Sequence, residues 1–100
     1  MQAEGLSYEV VDERGNHLVL LRGELDVLNC ESLERELDDI AHSTVIVDLS
    51  GLTFIDAAGI NALVRLGRTL ESRSDELVIV NASRWIRRVF ELAGAARLLS

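Results

Sequence analysis

A regular alternation of short apolar runs and amphipathic stretches is the feature that most constrains the fold of this chain. The runs TVIVDL (44–49) and ELVIVNA (76–82) are rich in β-branched residues and have the continuous apolar pattern of strands buried on both faces. Residues 29–41, 57–71 and 84–93 instead repeat apolar side chains at helical spacing. Because strands that alternate with helices are joined by crossovers, we expect these strands to be parallel, with right-handed connections.

The chain opens on a different pattern. LSYEVV (6–11) and HLVLLRG (17–23) are two strand-like runs separated by DERGN, which predicts an antiparallel hairpin with Gly15 and Asn16 at its tip. The predicted order of elements is therefore β-β-α-β-α-β-α. We expect one α/β domain over residues 1–100, a sandwich of about four strands in a mixed sheet flanked by helices.

Polar residues and glycines mark the ends of these elements. Asn29 and Ser83 are predicted to cap the first and third helices at their amino ends. Gly94 is predicted to end the third helix, and Gly51 to form a tight turn after the strand at 44–49.

The charge of the chain argues against a nucleic-acid partner. The formal net charge is −7, whereas phosphate backbones are bound by surfaces rich in Lys and Arg. Residues 1–56 carry 3 basic and 13 acidic residues (net −10), and residues 57–100 carry 7 and 4 (net +3). Such an uneven distribution can steer docking onto another protein, although most of these charges are also expected to solvate helix faces.

Two further features bear on the cellular location. No apolar run approaches the length of about 18 residues that a membrane helix needs, and the amino terminus lacks the pattern of a secretory signal. The single cysteine excludes an internal disulfide and suits a reducing compartment. The sequence therefore predicts a cytoplasmic protein without membrane insertion.

Few side chains could carry out catalysis. The sequence has no glycine-rich phosphate loop and no Cys/His cluster, and His17 and His42 are predicted to be surface residues. Cys30 is predicted to be a small packing residue, although a position near a helix start could lower its thiol pKa. Asp48 ends a strand as the phosphoacceptor of a receiver domain does, but that chemistry needs a lysine and this chain has none. We expect no enzyme, no cofactor and no metal site.

The junction between the strand at 44–49 and the following helix is the best candidate for a functional site. Asp56 is predicted to cap the helix, with its carboxylate accepting from the amide of Ala58 or Gly59. Gly59 leaves room for another backbone to approach closely. Ala57 and Ala58 stand at the front of the helix, where many proteins place a reactive group. A capped helix without any further role is the alternative reading.

Three segments resemble a known family. GELD (23–26), VDLSGLTFIDAAGI (47–60) and RRVFELAG (87–94) together resemble the STAS domain, specifically the anti-sigma factor antagonists. The resemblance covers nearly the whole chain and implies the STAS-type α/β sandwich. It further implies a partner, an anti-sigma factor with a histidine-kinase-like ATPase fold, whose capture frees a sigma factor for transcription.

The resemblance also assigns candidate residues. The aspartate, glycine and aliphatic residue of the family motif fall on Asp56, Gly59 and Ile60. The acidic residue of the GELD loop, which in the family lies beside the phosphorylation site, is Asp26. The predicted partner-binding residues are Asp26, Asp56, Ala57, Ala58, Gly59 and Ile60.

The chain departs from the family at one position. The serine that the partner kinase phosphorylates in regulated members falls on Ala57, which has no hydroxyl, and Ala58 supplies no substitute. Ser50 and Thr53 are nearby hydroxyls, but they are predicted to be turn and strand-end residues. The resemblance therefore implies an antagonist that is not switched by phosphorylation at this position.

Two other functions stay open at this point. STAS proteins that stand alone also serve as cytoplasmic accessory subunits of ABC-type lipid transporters, and these often lack the serine. A scaffold or sensor in a larger stress-signalling assembly is the other alternative.

The third predicted helix carries the chain's tryptophan. Its predicted inward stripe consists of Ile86, Val89, Phe90 and Ala93. Trp85 lies off this stripe among three arginines, and is predicted to be a packing residue rather than a partner contact.

Overall fold

The computed structural model describes residues 2–40 and 43–100, with side chains for residues 4–39 and 43–100. Within these ranges the strands are β1 (Gln2–Ala3), β2 (Leu6–Glu13), β3 (Asn16–Leu25), β4 (Val45–Ile55) and β5 (Leu77–Val80). The helices are α1 (Cys30–Ile40), α2 (Ala57–Ser72), α3 (Arg84–Leu92) and a short 3₁₀ helix (Ala96–Leu98).

The described strands form one mixed sheet in the order β1-β2-β3-β4-β5. β2 and β3 are the predicted antiparallel hairpin, and β3, β4 and β5 are parallel neighbours as expected from the alternation with helices. The predicted element order is confirmed. The structure adds β1, a two-residue edge strand that pairs with Leu6 and Ser7 and that the sequence analysis did not predict.

The tip of the hairpin lies one residue earlier than predicted. Glu13 pairs with Asn16, so the two-residue turn is Arg14–Gly15, and Asn16 is the first residue of β3. Arg14 and Gly15 both have positive φ, 52° and 84°. Two positive φ values give the turn that matches the twist of a hairpin, and Asn16 pairs in the ladder instead.

The sheet buries one face rather than two. Along β4, Val45, Val47 and Leu49 are buried while Ile46 and Asp48 are half-buried. The prediction that this strand is covered on both faces was therefore wrong. The buried side chains of the strands form one cluster with those of α1 and α2, which contact each other. Each fully buried leucine of this cluster contributes about 1.5–3 kcal/mol to stability.

β4 continues for six residues beyond the predicted strand end at Leu49. Gly51, predicted as a turn, pairs with Arg22 inside the strand. Between Leu20 and Arg22, and again between Gly23 and Glu24, β4 contains one more residue than β3, so the strand has two bulges. A Cβ on Gly51 would lie 2.9 Å from the carbonyl oxygen of Leu21, which explains a glycine at the first bulge.

The third helix packs with only part of its predicted stripe. Ile86 and Phe90 are buried and Val89 is partly buried, but Ala93 is exposed, contrary to prediction. The 3₁₀ helix then buries Leu98 at 3.3 Å from where a Cβ of Gly67 would stand in α2. No helix in the described ranges is long and apolar enough to span a membrane.

Candidate functional site at the head of helix α2

The carboxyl ends of β3 and β4 bring the two predicted aspartates to the same place. Leu25 pairs with Ile55 at the end of these parallel strands, so Asp26 and Asp56 both leave the sheet at the same edge. The backbone amide of Asp56 donates to the carbonyl of Leu25 at 3.3 Å. The head of α2 therefore stands beside the loop of residues 26–29, as the family resemblance implied.

Asp56 does more than the predicted cap. Its Oδ1 accepts from the amide of Gly59 at 2.9 Å, which confirms the capping of α2. Its Oδ2 accepts from the amide of Val27 at 3.2 Å. One carboxylate thus fixes both the first turn of α2 and the neighbouring loop, and the second bond joins residues 29 positions apart that no local pattern could link.

A buried asparagine, not a cap, holds the loop of residues 26–29. The side chain of Asn29 is 1% exposed, and its Oδ1 accepts from the amide of Asp26 at 3.0 Å. Its Nδ2 donates to the carbonyls of Glu4 at 2.8 Å and Glu24 at 2.9 Å. The predicted role of the Asn29 side chain as a helix cap was wrong, because its three bonds run back to the loop, to the turn between β1 and β2 and to the end of β3.

The Asp26 carboxylate also organises this loop. Its Oδ1 accepts from the amide of Leu28 at 3.0 Å. The backbone carbonyl of Asp26 accepts from the amides of Asn29 and Cys30. These bonds turn the chain sharply and leave Val27 and Leu28 pointing outward, 69% and 70% exposed. The loop therefore offers two aliphatic side chains on a rigid backbone.

The remaining predicted site residues differ in exposure. Ala57 is exposed at the first position of α2, and Ala58 is partly buried against the core. Gly59 and Ile60 are buried, so they shape the surface from beneath rather than forming it. A Cβ on Gly59 would come within 2.7 Å of the Leu25 carbonyl oxygen, so the predicted close approach is present.

An aromatic pair lies next to this junction. Phe54, two residues before Asp56, stacks on Trp85 at the start of α3, with ring centroids 6.3 Å apart and an interplanar angle of 29°. Despite this stack, Trp85 is 54% exposed and Phe54 is 39% exposed. Whether Trp85 packs or contacts a partner stays a prediction. Sequence reasoning did not single out Phe54, because the second bulge of β4 decides which way it faces.

The other residues considered for chemistry lie elsewhere or are unsuited to it. Burial raises the pKa of the Cys30 thiol, so the lowered pKa considered from its position is contradicted and its role is packing. His17 is half-buried at the start of β3, away from the junction, and His42 lies outside the described residues. Among residues 2–40 and 43–100, no group of three or more His, Cys, Asp or Glu side chains could hold a metal ion.

Comparison with known proteins identifies the family. The family model described as "Mlab, STAS domain" matches residues 10–100. The "Putative anti-sigma factor antagonist BtrV" of Bordetella bronchiseptica is 31% identical over 83 residues, which cover 80% of this chain and 72% of that protein. Two structures of the anti-sigma factor antagonist SpoIIAA, unphosphorylated and phosphorylated, superpose with TM-scores of 0.83 and 0.75 at 23% identity. They cover 94% of this chain and 86% and 89% of theirs, which shows the fold. The chain belongs to the STAS domain family, among the anti-sigma factor antagonists.

Proposed function

We propose that this protein is a cytoplasmic binding module, not an enzyme, that captures an anti-sigma factor with a histidine-kinase-like ATPase fold and so frees a sigma factor. The surface at the head of α2, with the loop of residues 26–29, is the contact site. The observation that carries the proposal is Asp56, whose carboxylate holds the exposed Ala57 and the loop carrying Val27 in one fixed arrangement. A surface fixed before binding loses little conformational entropy when a partner docks.

The same site supports the proposal that binding is not switched by phosphorylation. The family's phosphoserine position is Ala57, which is exposed but has no oxygen to accept a phosphate. A phosphate there would place about −1.5 to −2 charges beside Asp26 and Asp56, and like charges brought together at an interface weaken it. Without that hydroxyl, the complex persists in the presence of ATP.

The experiment uses each kinase-type anti-sigma factor encoded in the genome that carries this chain. Calorimetric titration with and without ATP measures binding, and mass spectrometry measures phosphate on the antagonist. We expect wild-type protein to bind equally in both conditions and to gain no phosphate, and Ala57→Ser to gain phosphate and to dissociate in ATP. Ala93→Ser, which adds a hydroxyl to another exposed alanine, is the matched control and should behave like wild type.

Two results would count against the proposal. Absence of binding to every such anti-sigma factor would remove the antagonist function. Efficient phosphorylation of the wild-type protein at Ser50 or Thr53, with loss of the complex, would remove the claim that binding escapes the switch. Both hydroxyls are on exposed residues of β4, and that of Thr53 donates to the Gly23 carbonyl at 3.0 Å.

The alternative function is that of an accessory subunit of an ABC-type lipid transporter. The missing hydroxyl at position 57 favours it, since STAS subunits of that kind often lack the serine. Co-expression with a permease and ATPase pair from the same genome separates the two functions. A stable complex with the ATPase, together with no binding to any anti-sigma factor, would select the transporter subunit.

A further inference from the structure

The chain places two of its four aromatic residues on the surface, in contact with each other. Tyr8 and Phe90 are buried, with exposed fractions of 4% and 0%, whereas Phe54 and Trp85 are 39% and 54% exposed. Exposed aromatic rings bring a large apolar area to a partner at low cost in side-chain entropy, and they dominate the energetics of many interfaces. Stacking on each other already limits the motion of these two rings.

This pair stands close along the chain to the site at the head of α2, since Phe54 precedes Asp56 by two residues. β4 runs past the end of β5, which pairs only as far as Asp48, and α3 contacts β4. Phe54 pairs with Glu24 of β3 on one side and stacks on Trp85 of α3 on the other. The rings therefore lie between the acidic end of β3 and helix α3.

Helix α3 adds positive charge on the outer side of the rings. Ile86 and Phe90 anchor the helix, which leaves Trp85, Arg88 and Leu92 exposed at spacings of three and seven residues from Trp85. Arg88 pairs with Glu91 at 3.6 Å, and both side chains are more than half exposed. An ion pair of this kind contributes about 0–1 kcal/mol, so it gives way readily to a partner's carboxylate.

We propose that Phe54, Trp85 and Arg88 form a second contact region for the anti-sigma factor, which presents there an apolar surface with a carboxylate on the side that faces Arg88. This inference rests on the proposed function. A standard interface takes roughly 20–30 residues from each side, more than the loop of residues 26–29 and the first turn of α2 supply. The acidic loop on one side of the rings and Arg88 on the other fix the direction in which the partner docks.

The direct test labels the tryptophan, which occurs once in the chain. Incorporation of 5-fluorotryptophan gives a single ¹⁹F resonance, and the anti-sigma factor is added unlabelled. We expect the resonance to shift on complex formation. We also expect acrylamide to quench the tryptophan fluorescence less in the complex than in the free protein. An unchanged resonance in a complex that calorimetry shows to have formed would overturn the proposal.

Substitutions test the energetics. We expect Phe54→Ala and Trp85→Ala each to raise the dissociation constant about tenfold or more, while Val11→Ala changes it by no more than about twofold. Val11 is the matched control, since it is also 40% exposed but lies in the hairpin. Arg88→Glu should weaken binding more than Arg87→Glu, because Arg87 lies on the flank of α3 away from Trp85. Circular dichroism and thermal melting establish that each variant is folded.

Ala57→Arg separates this inference from the proposed function. If Ala57→Arg abolishes binding while Phe54→Ala and Trp85→Ala bind like wild type, the second contact region is wrong and the antagonist function stands. If no anti-sigma factor binds the wild-type chain, both are wrong. Loss of binding in all three variants, with folding retained, supports both.

Discussion

Helices α2 and α3 both begin at a side-chain cap, but the surroundings of the two caps differ. In each, a polar side chain at the cap accepts from the amide three residues later, Asp56 from Gly59 at 2.9 Å and Ser83 from Ile86 at 3.2 Å. Asp56 has a second oxygen, and that oxygen binds the amide of Val27 in a loop 29 residues away. Among the described residues the Ser83 side chain bonds the amide of Ile86 alone, whereas the two oxygens of the Asp56 carboxylate make its helix start part of a composite surface.

The two helix starts also differ in charge. The loop beside α2 carries Asp26 and follows Glu24, whereas α3 opens with three arginines in its first five residues. The same capping geometry thus serves an acidic, tightly hydrogen-bonded region and a basic one that exposes an aromatic ring. A cap fixes where a helix starts, and the neighbouring segments decide what that start presents.

Of the substitutions considered, removal of the buried Asn29 side chain should reduce the stability of the protein most. Asn29→Ala leaves the amide of Asp26 and the carbonyls of Glu4 and Glu24 without their present partner, which should lower the free energy of unfolding by about 2–4 kcal/mol. Urea denaturation measures the change. Asn61→Ala, at an exposed position of α2, is the control and should cost less than about 0.5 kcal/mol. Equal losses in the two variants would contradict the role assigned to Asn29.

Asp56→Ala should have the next largest effect, since it removes both the cap and the link to the loop. We expect a loss of about 1–2 kcal/mol in the free energy of unfolding. Amide hydrogen exchange should accelerate at Val27 as well as at Gly59. Asp56→Asn sharpens the test because an amide offers one acceptor oxygen, so only one of the two amides should stay protected. Unaltered exchange at Val27 in Asp56→Ala would mean that the loop holds without the carboxylate.

Ser83→Ala tests the other side of the comparison. It removes a single bond, so we expect a loss of about 1 kcal/mol and faster exchange confined to the first turn of α3. Partner binding through the loop of residues 26–29 should be unaffected. Faster exchange at Val27 in this variant would show that the two helix starts are coupled, and would contradict this expectation.

The smallest effect concerns Asp48, which links β4 to the segment before α3 through Asn81. Partial burial opposes its ionisation, but bonds from Ser50 and from the Asn81 side chain at 3.0 Å prevail and lower its pKa. Because the pKa of Asp48 is lower in the folded state, its ionised carboxylate stabilises the protein at pH values above the ordinary carboxyl pKa of about 3.9. This contribution is lost as the pH falls through the folded pKa. Unfolding at pH 7 and at pH 3 should therefore show a smaller acid-induced loss for Asp48→Asn than for wild type. A larger loss in the variant would contradict the assigned pKa direction.

The sequence determined whatever depends on local pattern. The order of strands and helices, the parallel pairing of β3, β4 and β5, the caps at Asp56 and Ser83 and the tight approach at Gly59 all follow from side-chain periodicity and from residues within one helical turn. The closeness of Asp26 to Asp56 was implied by the family resemblance, and the structure accounts for it, because the parallel strands β3 and β4 end at the same edge of the sheet.

Tertiary structure decided the features whose partners are distant in the chain. Asn29 has the residue type and position of a helix cap, yet its partners Glu4 and Glu24 lie 25 and 5 residues away, and burial among them outweighs the local preference. Gly51 suits a turn as well as a bulge, and only the register of β4 against β3 selects the bulge. That register in turn extends β4 and sets Phe54 against Trp85. The pattern of the sequence fixes each element, but hydrogen bonding and close packing between elements fix what the surface offers to a partner.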